Sequence, residues 1–114
     1  MEDCIFCKII AGEIPSTKVY EDDKMLAFRD INPQAPVHIV CIPKQHIPSV
    51  NAITEDNADL IAHLFTKIPL IAKQEGLAEN GYRIVNNCGR DAGQTVFHVH
   101  FHILGGQPMA LEMA

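Results

Sequence analysis

The sequence has no tryptophan, and aromatic residues fill only 6% of its 114 positions. It is also short of basic charge, with 9 Lys and Arg against 14 Asp and Glu, for a formal net charge of −5. A surface for nucleic acid or anionic membrane needs clustered Lys and Arg. Neither partner is expected, although a small anionic ligand held by local donors remains compatible with this balance. No run approaches the roughly 20 apolar residues of a membrane helix. The opening "MEDCIFCKII" is acidic at first, and its apolar run is too short and interrupted for an export signal. The chain therefore reads as soluble and cytoplasmic. Its 4 cysteines then read as thiols or metal ligands in preference to disulfides. Internal repeats and low-complexity segments are also missing.

What remains is one domain, residues 1–114, whose 47% apolar content can build a core. Cys4 to Ala11 has helical spacing, with Ile5, Phe6, Ile9 and Ile10 on one side, and Gly12 and Pro15 stop it. "TKVYED" and "MLAFRD" read as short strands around a turn at Asp22-Asp23. "INPQAP" is a loop, and Val37 to about Ile42 is a β-branched strand ended by Pro43. The one long helix runs from Thr54, a suitable N-cap, to about Gly76, a suitable C′ residue. Leu60, Ile61, Leu64, Phe65, Ile68 and Ile71 form its apolar stripe, and Pro69 predicts a kink or break. "GYRIVN" is a strand, "NCGRDAGQ" a polar loop, and "TVFHVHFHILGG" the last strand. This order favours an α+β fold: an antiparallel sheet, one long helix and a short N-terminal helix.

The last strand holds half of the 6 histidines. Alternate residues of a strand share a face. His98, His100 and His102 therefore lie on one side, with Phe97, Val99, Phe101 and Ile103 on the other, packed most simply on the long helix. At about 3.3 Å per residue, His98 and His102 are about 13 Å apart along a straight strand. One zinc, with nitrogens at about 2.1 Å, cannot take both. A neutral imidazole is instead a good nucleophile towards phosphorus, and its neighbours can donate to phosphate oxygens. The middle residue, His100, is the natural nucleophile. Upstream, Asn87, Gln94 and Thr95 and the backbone near Gly89 and Gly93 offer donors for a phosphate. Asp30 ends an apolar strand at a rim, as either a turn initiator or a functional acid. Cys4 and Cys7 in "CIFC" could be a redox pair or half a zinc site. The redox reading is weak, because the pair does not follow a strand. Cys41 reads as core, Cys88 as a loop thiol, and His63 as a surface or half-buried helix residue.

Together "HVHFHIL", "CIFCKIIAGEIPSTKVYEDDKMLAFRDINPQAPVHIVCIPKQHI" and "YRIVNNCGRDAGQTVFHVHFHILGG" resemble the histidine triad (HIT) family over nearly the whole chain. "DINPQAP" and Gly105-Gly106 look most like its Hint branch of nucleoside phosphoramidases. The resemblance implies a homodimer whose sheets join into one. It implies hydrolysis of purine nucleoside 5′-monophosphate derivatives at a P–N bond. By motif position His100 would form a nucleotidyl-histidine, with His102, Asn87 and Thr95 on the α-phosphate, Gln94 nearby, and His38 supporting the triad. Asp30 would hold the ribose hydroxyls beside Ile31, and Phe6, Ile9, Ile14 and Phe28 would line the base pocket. Family members with a matching cysteine pair bind zinc, which here implies structural Zn²⁺ on Cys4, Cys7, His46 and His98.

Two other functions fit the resemblance. One is a dinucleoside polyphosphate hydrolase or nucleotidyltransferase of the same superfamily. The other is a nucleotide-binding regulator or adaptor. His102 argues against the transferases, which place Gln there, and the full triad argues against a pure adaptor. The branch often carries a Trp in its C-terminal tail. This chain ends in "QPMALEMA", so its selectivity for the leaving amine is expected to differ.

Overall fold

A computed structural model describes residues 3–112. The elements follow in the order α1 (Ile5–Ile10), β1 (Lys18–Glu21), β2 (Met25–Arg29), β3 (Val37–Pro43), a short 3₁₀ turn (Val50–Ala52), α2 (Ala58–Gln74), β4 (Tyr82–Val85) and β5 (Phe101–Gly105). The strands form one sheet in the order β1-β2-β3-β5-β4, with every neighbouring pair antiparallel. This is the α+β architecture read from the sequence. Among the described residues, no helix is long and apolar enough to cross a membrane.

Two cores form because the central strands are apolar on both sides. Met25, Ala27, Ile39, Cys41, Val99, Phe101 and Ile103 face α2 and pack on Leu64, Ile68, Ile71 and Ala72. On the opposite face Leu26, Phe28, Val40 and Ile42 pack beneath α1 through Ile9, with Phe6, Ile10 and Ile14 around them. The expected apolar backing of the histidine row is therefore present at Val99, Phe101 and Ile103. Phe97 departs from it and is 59% exposed.

Two boundaries, and the break allowed at Pro69 as the alternative to a kink, differ from the sequence reading, each for a local reason. α2 starts at Ala58 and not at Thr54. Thr54 Oγ1 accepts from Asp56 N while Asn57 Oδ1 accepts from Thr54 N, and these bonds close a separate turn ahead of the helix. α2 also runs through Pro69 without a break. Pro69 lies on the exposed side, where the carbonyl one turn back that loses its N–H partner can reach water. The helix end is as expected: Gly76 takes φ +77°, and Leu77 N donates to Ala72 O at 2.8 Å to close a Schellman cap.

The third difference matters for the site. The last strand begins only at Phe101, so His98 and His100 precede the ladder. The register pairs Cys41 with Phe101. Two residues further along, Val99 would fall opposite Pro43, which has no N–H to donate. The Pro43 carbonyl is taken by the His98 ring, and Val99 N turns away to donate to Ile47 O at 2.6 Å.

Candidate active site and metal centre

The sheet face under α1 carries the chemistry. His38 on β3 and His102 on β5 sit on it, joined by His100 and His98 from the segment before β5. His38, His100 and His102, together with α1 and the Asp30–Gln34 loop, bound a cavity of about 690 Å³, and His98 lies outside its lining. Phe6, Ile9, Ile14, Phe28 and Val40 make its apolar wall, and Asp30, Asn87, Thr95, His38, His100 and His102 its polar side. Ile31 lines the mouth and is 99% exposed.

Hydrogen bonds assign a tautomer to each imidazole. Gln34 N donates to His38 Nδ1 at 3.0 Å, so the proton of His38 is on Nε2. That N–H donates to His102 Nδ1 at 2.8 Å, which leaves the His102 proton on Nε2. His100 Nδ1 lies 2.8 Å from the His98 carbonyl oxygen and must donate to it. The lone pair of His100 is therefore on Nε2. Phe6 meets the His100 ring edge-on at 5.1 Å, and the His100 and His102 rings are 5.1 Å apart. Burial, with the nearby imidazoles His100 and His38, lowers His102 to about 4. Burial also lowers His38, and Asp30 partly offsets it. Both are neutral at pH 7. A neutral, oriented imidazole with a free nitrogen beside N–H donors can attack an electrophilic phosphorus.

Asp30 combines both readings of its sequence position. One oxygen accepts from Asn32 N at 2.8 Å and caps the loop. The other is 3.5 Å from His38 Nε2. Gln94 is brought near but not in: it is buried and lies outside the cavity lining. Its amide donates to Pro48 O and Val96 O and accepts from Gly89 N, so it braces the loop. Asn87 donates to Ala92 O across the same loop. Two contributors escaped the sequence reading. Asn86 donates to the His100 carbonyl at 2.9 Å, and Gln34 sets the His38 tautomer through its backbone. The doubled Asn of "NNCG" was a signal for the first, and a backbone donor leaves none for the second.

Cys4, Cys7, His46 and His98 form a second cluster, with their ligand atoms all within 4.8 Å of one another. Cys4 Sγ lies 3.4 Å from His98 Nδ1, and Cys7 Sγ lies 3.3 Å from His46 Nδ1 and 3.6 Å from His98 Nδ1. Zinc with S at about 2.3 Å and N at about 2.05 Å in a tetrahedron gives S···N edges of about 3.6 Å. The side chains already stand at that spacing. His98 Nε2 donates to Pro43 O at 2.8 Å, which turns a bare Nδ1 to the thiols, as a metal-ligating imidazole requires. Burial lowers His98 to about 4, so it is neutral. Cys41 is a core residue whose thiol is pushed up to about 12 by burial. Cys88 is half-buried in the loop. His63 is half-buried on α2 and pairs with Asp22 at 2.7 Å.

Fold and site define an α+β protein with an apolar-walled cavity lined on one side by oriented imidazoles. Residues 11–109 match the HIT domain model, and the chain belongs to the HIT family. It is 49% identical over 113 residues to the purine nucleoside phosphoramidase of Escherichia coli K12, covering 99% of this chain and 95% of that protein. It is 52% identical to a 14 kDa zinc-binding protein of Brassica juncea, covering 94% of this chain and 96% of that one. The solved HIT family hydrolase from Clostridium thermocellum superposes with a TM-score of 0.96 at 49% identity, covering 100% of this chain and 99% of that one.

Proposed function

We propose that the protein hydrolyses purine nucleoside 5′-phosphoramidates through a covalent intermediate on His100. The observation that carries this reading is the bond from His100 Nδ1 to the His98 carbonyl, which leaves Nε2 as the free nucleophile. Its lone pair attacks the α-phosphorus, the P–N bond breaks, and the departing amine takes a proton from solvent, which the water of the second step returns. Water then cleaves the N–P bond of the nucleotidyl-histidine, releasing the nucleoside monophosphate and restoring His100. His102 Nε2–H, Asn87 and Thr95 hold the phosphate oxygens. Asp30 accepts from the ribose hydroxyls. Phe6, Ile9, Ile14, Phe28 and Ile31 receive the base. Gln94 contributes by bracing the loop, because its side chain is already bonded. The phosphoramidase name of the 49% identical relative supports the P–N bond as target.

A substrate panel tests this: adenosine 5′-phosphoramidate against a dinucleoside polyphosphate, with wild type and His100→Ala. Wild type should turn over the amidate faster. His100→Ala should lose turnover while keeping AMP affinity within a few-fold, and an acid quench of wild type should trap a nucleotidylated chain. Near wild-type turnover by His100→Ala would overturn the assignment. Preference for the polyphosphate would move the protein to the other hydrolase class.

The same reading places structural Zn²⁺ on Cys4, Cys7, His46 and His98, supported by the spacing of those atoms and the zinc-binding relative. Four protein ligands close the coordination shell, so the metal would cross-link chain segments without touching substrate. Elemental analysis of protein purified without added zinc should give about one zinc per chain. A small fraction of one, with both thiols free to react, rejects it. We also propose a homodimer joined at β4, which has a free edge among the described residues and an exposed Ile84. Sedimentation that gave only a 12.6 kDa species would reject that.

A further inference from the structure

The metal cluster and the nucleophile share a residue. His98 presents Nδ1 to Cys4 and Cys7, donates from Nε2 to Pro43 O, and accepts the His100 Nδ1 proton on its own carbonyl. His98 and His100 stand outside the ladder that begins at Phe101. The backbone there is held by the bond from Val99 N to Ile47 O. Both of those residues neighbour a cluster ligand, His98 and His46. Asn86 adds a bond to the His100 carbonyl, and a nucleophile on a segment without ladder bonds draws the rest of its rigidity from contacts of this kind.

The other two ligands sit on α1. That helix has only 6 residues, too few to persist on its own. Cys4 caps it by accepting from Cys7 N at 3.3 Å. Between the two cysteines lies Phe6, whose ring meets His100 at 5.1 Å and Phe28 at 5.6 Å. Ile9 follows on the same wall of the cavity. One end of the cluster therefore holds the base-binding wall, and the other holds the carbonyl that sets the His100 tautomer.

From this we infer that Cys4, Cys7, His46 and His98 are positioning residues for the nucleotide site, and that zinc and nucleotide bind cooperatively. The inference rests on the nucleotide-binding reading above. The chain gives up freedom of α1 and of the 98–100 segment once, and whichever ligand binds first orders them for the other. Linkage requires the effect to be reciprocal: zinc must tighten AMP by the same factor by which AMP tightens zinc.

The test uses the full chain. AMP affinity is measured by calorimetry on zinc-loaded, chelator-stripped and reloaded protein, and zinc affinity by chelator competition with and without AMP. Both factors should be about tenfold and equal, within the usual range for coupled sites. In ¹⁵N-histidine spectra, the His100 ring should show a single Nδ1–H tautomer when loaded and a mixture when stripped. A core change on the other sheet face, Ile68→Val, should lower thermal stability and leave AMP affinity unchanged. Equal AMP affinity with and without zinc overturns the coupling alone, and so does a matching affinity loss in Ile68→Val. Global loss of fold on stripping, seen by far-ultraviolet circular dichroism, overturns it too, because the metal would then hold the whole fold and not one wall. A loaded protein that binds no AMP overturns the nucleotide reading and this inference with it.

Discussion

Replacing His38 tests whether orientation of His102 matters to the chemistry. His38 is 7% exposed and donates to His102 Nδ1 at 2.8 Å. His38→Leu keeps the volume and removes the donor. His102 Nδ1 is then left without its partner on a largely buried ring. Leaving a buried acceptor unmade costs about 1–3 kcal/mol. His102 can escape that cost by changing tautomer or rotating, and either move withdraws the Nε2–H proposed to hold a phosphate oxygen. If the whole cost falls on the transition state, at 1.36 kcal/mol per decade, kcat/KM drops about 5- to 150-fold. His38→Gln, which can still offer an N–H, should recover part of the loss. The assay is steady-state hydrolysis of adenosine 5′-phosphoramidate at pH 7, with urea unfolding of each variant as a check on folding. A folded His38→Leu within twofold of wild type would refute the tautomer argument.

Three further outcomes follow from the same geometry. A Cβ on Gly105 would lie 2.7 Å from Leu77 Cδ2, so Gly105→Ala should cost about 1–3 kcal/mol in urea unfolding, and an unchanged midpoint would contradict the packing. His102 is lowered to about 4 by burial first, so the unfolded chain binds more protons between there and about pH 6.5. Its contribution to stability is present above pH 6.5 and lost as pH falls through 4, and His102→Asn should flatten that part of the stability curve in chelator-treated protein. Asp30→Asn can still cap Asn32 but loses the charge that accepts from two hydroxyls. Its preference for ribo- over 2′-deoxyribonucleoside amidates should fall about tenfold, read from the two kcat/KM values.

Much of this was legible because the relevant patterns are local. The alternation of His98, Val99, His100, Phe101, His102 and Ile103 placed the apolar members in the α2-side core even where no ladder forms. That is a property of extended backbone and does not require pairing. The limit of the strand was harder to read, since it depends on which residue lies opposite. Pro43 was visible as the end of β3, but only the register shows that it also ends β5. The same holds for Gln94. Its type suggests a phosphate donor, and only the folded loop reveals that Pro48 O, Val96 O and Gly89 N have consumed it. Thr54 is a further case: a good cap by type, spent on a turn one step too early.

The histidine row makes sense as a set of fixed protons. An imidazole is ambiguous by nature, because either nitrogen can carry the proton and the two roles exchange freely in water. Here each ring of the row has one nitrogen committed to a named partner: His98 Nε2 to Pro43 O, His100 Nδ1 to His98 O, and His102 Nδ1 to His38 Nε2, while His38 has both committed, its Nδ1 accepting from Gln34 N. The free nitrogens then differ in kind. Those of His98 and His100 are bare lone pairs, one towards thiols and one left for an electrophile, whereas that of His102 is an N–H donor. Three identical side chains thus acquire three different chemistries from their acceptors and donors alone. The assignment needs neutral rings, and burial lowers His98, His102 and His38 in that direction. Protonating any of them would turn a lone pair into a second donor and erase the distinction that the backbone carbonyls create.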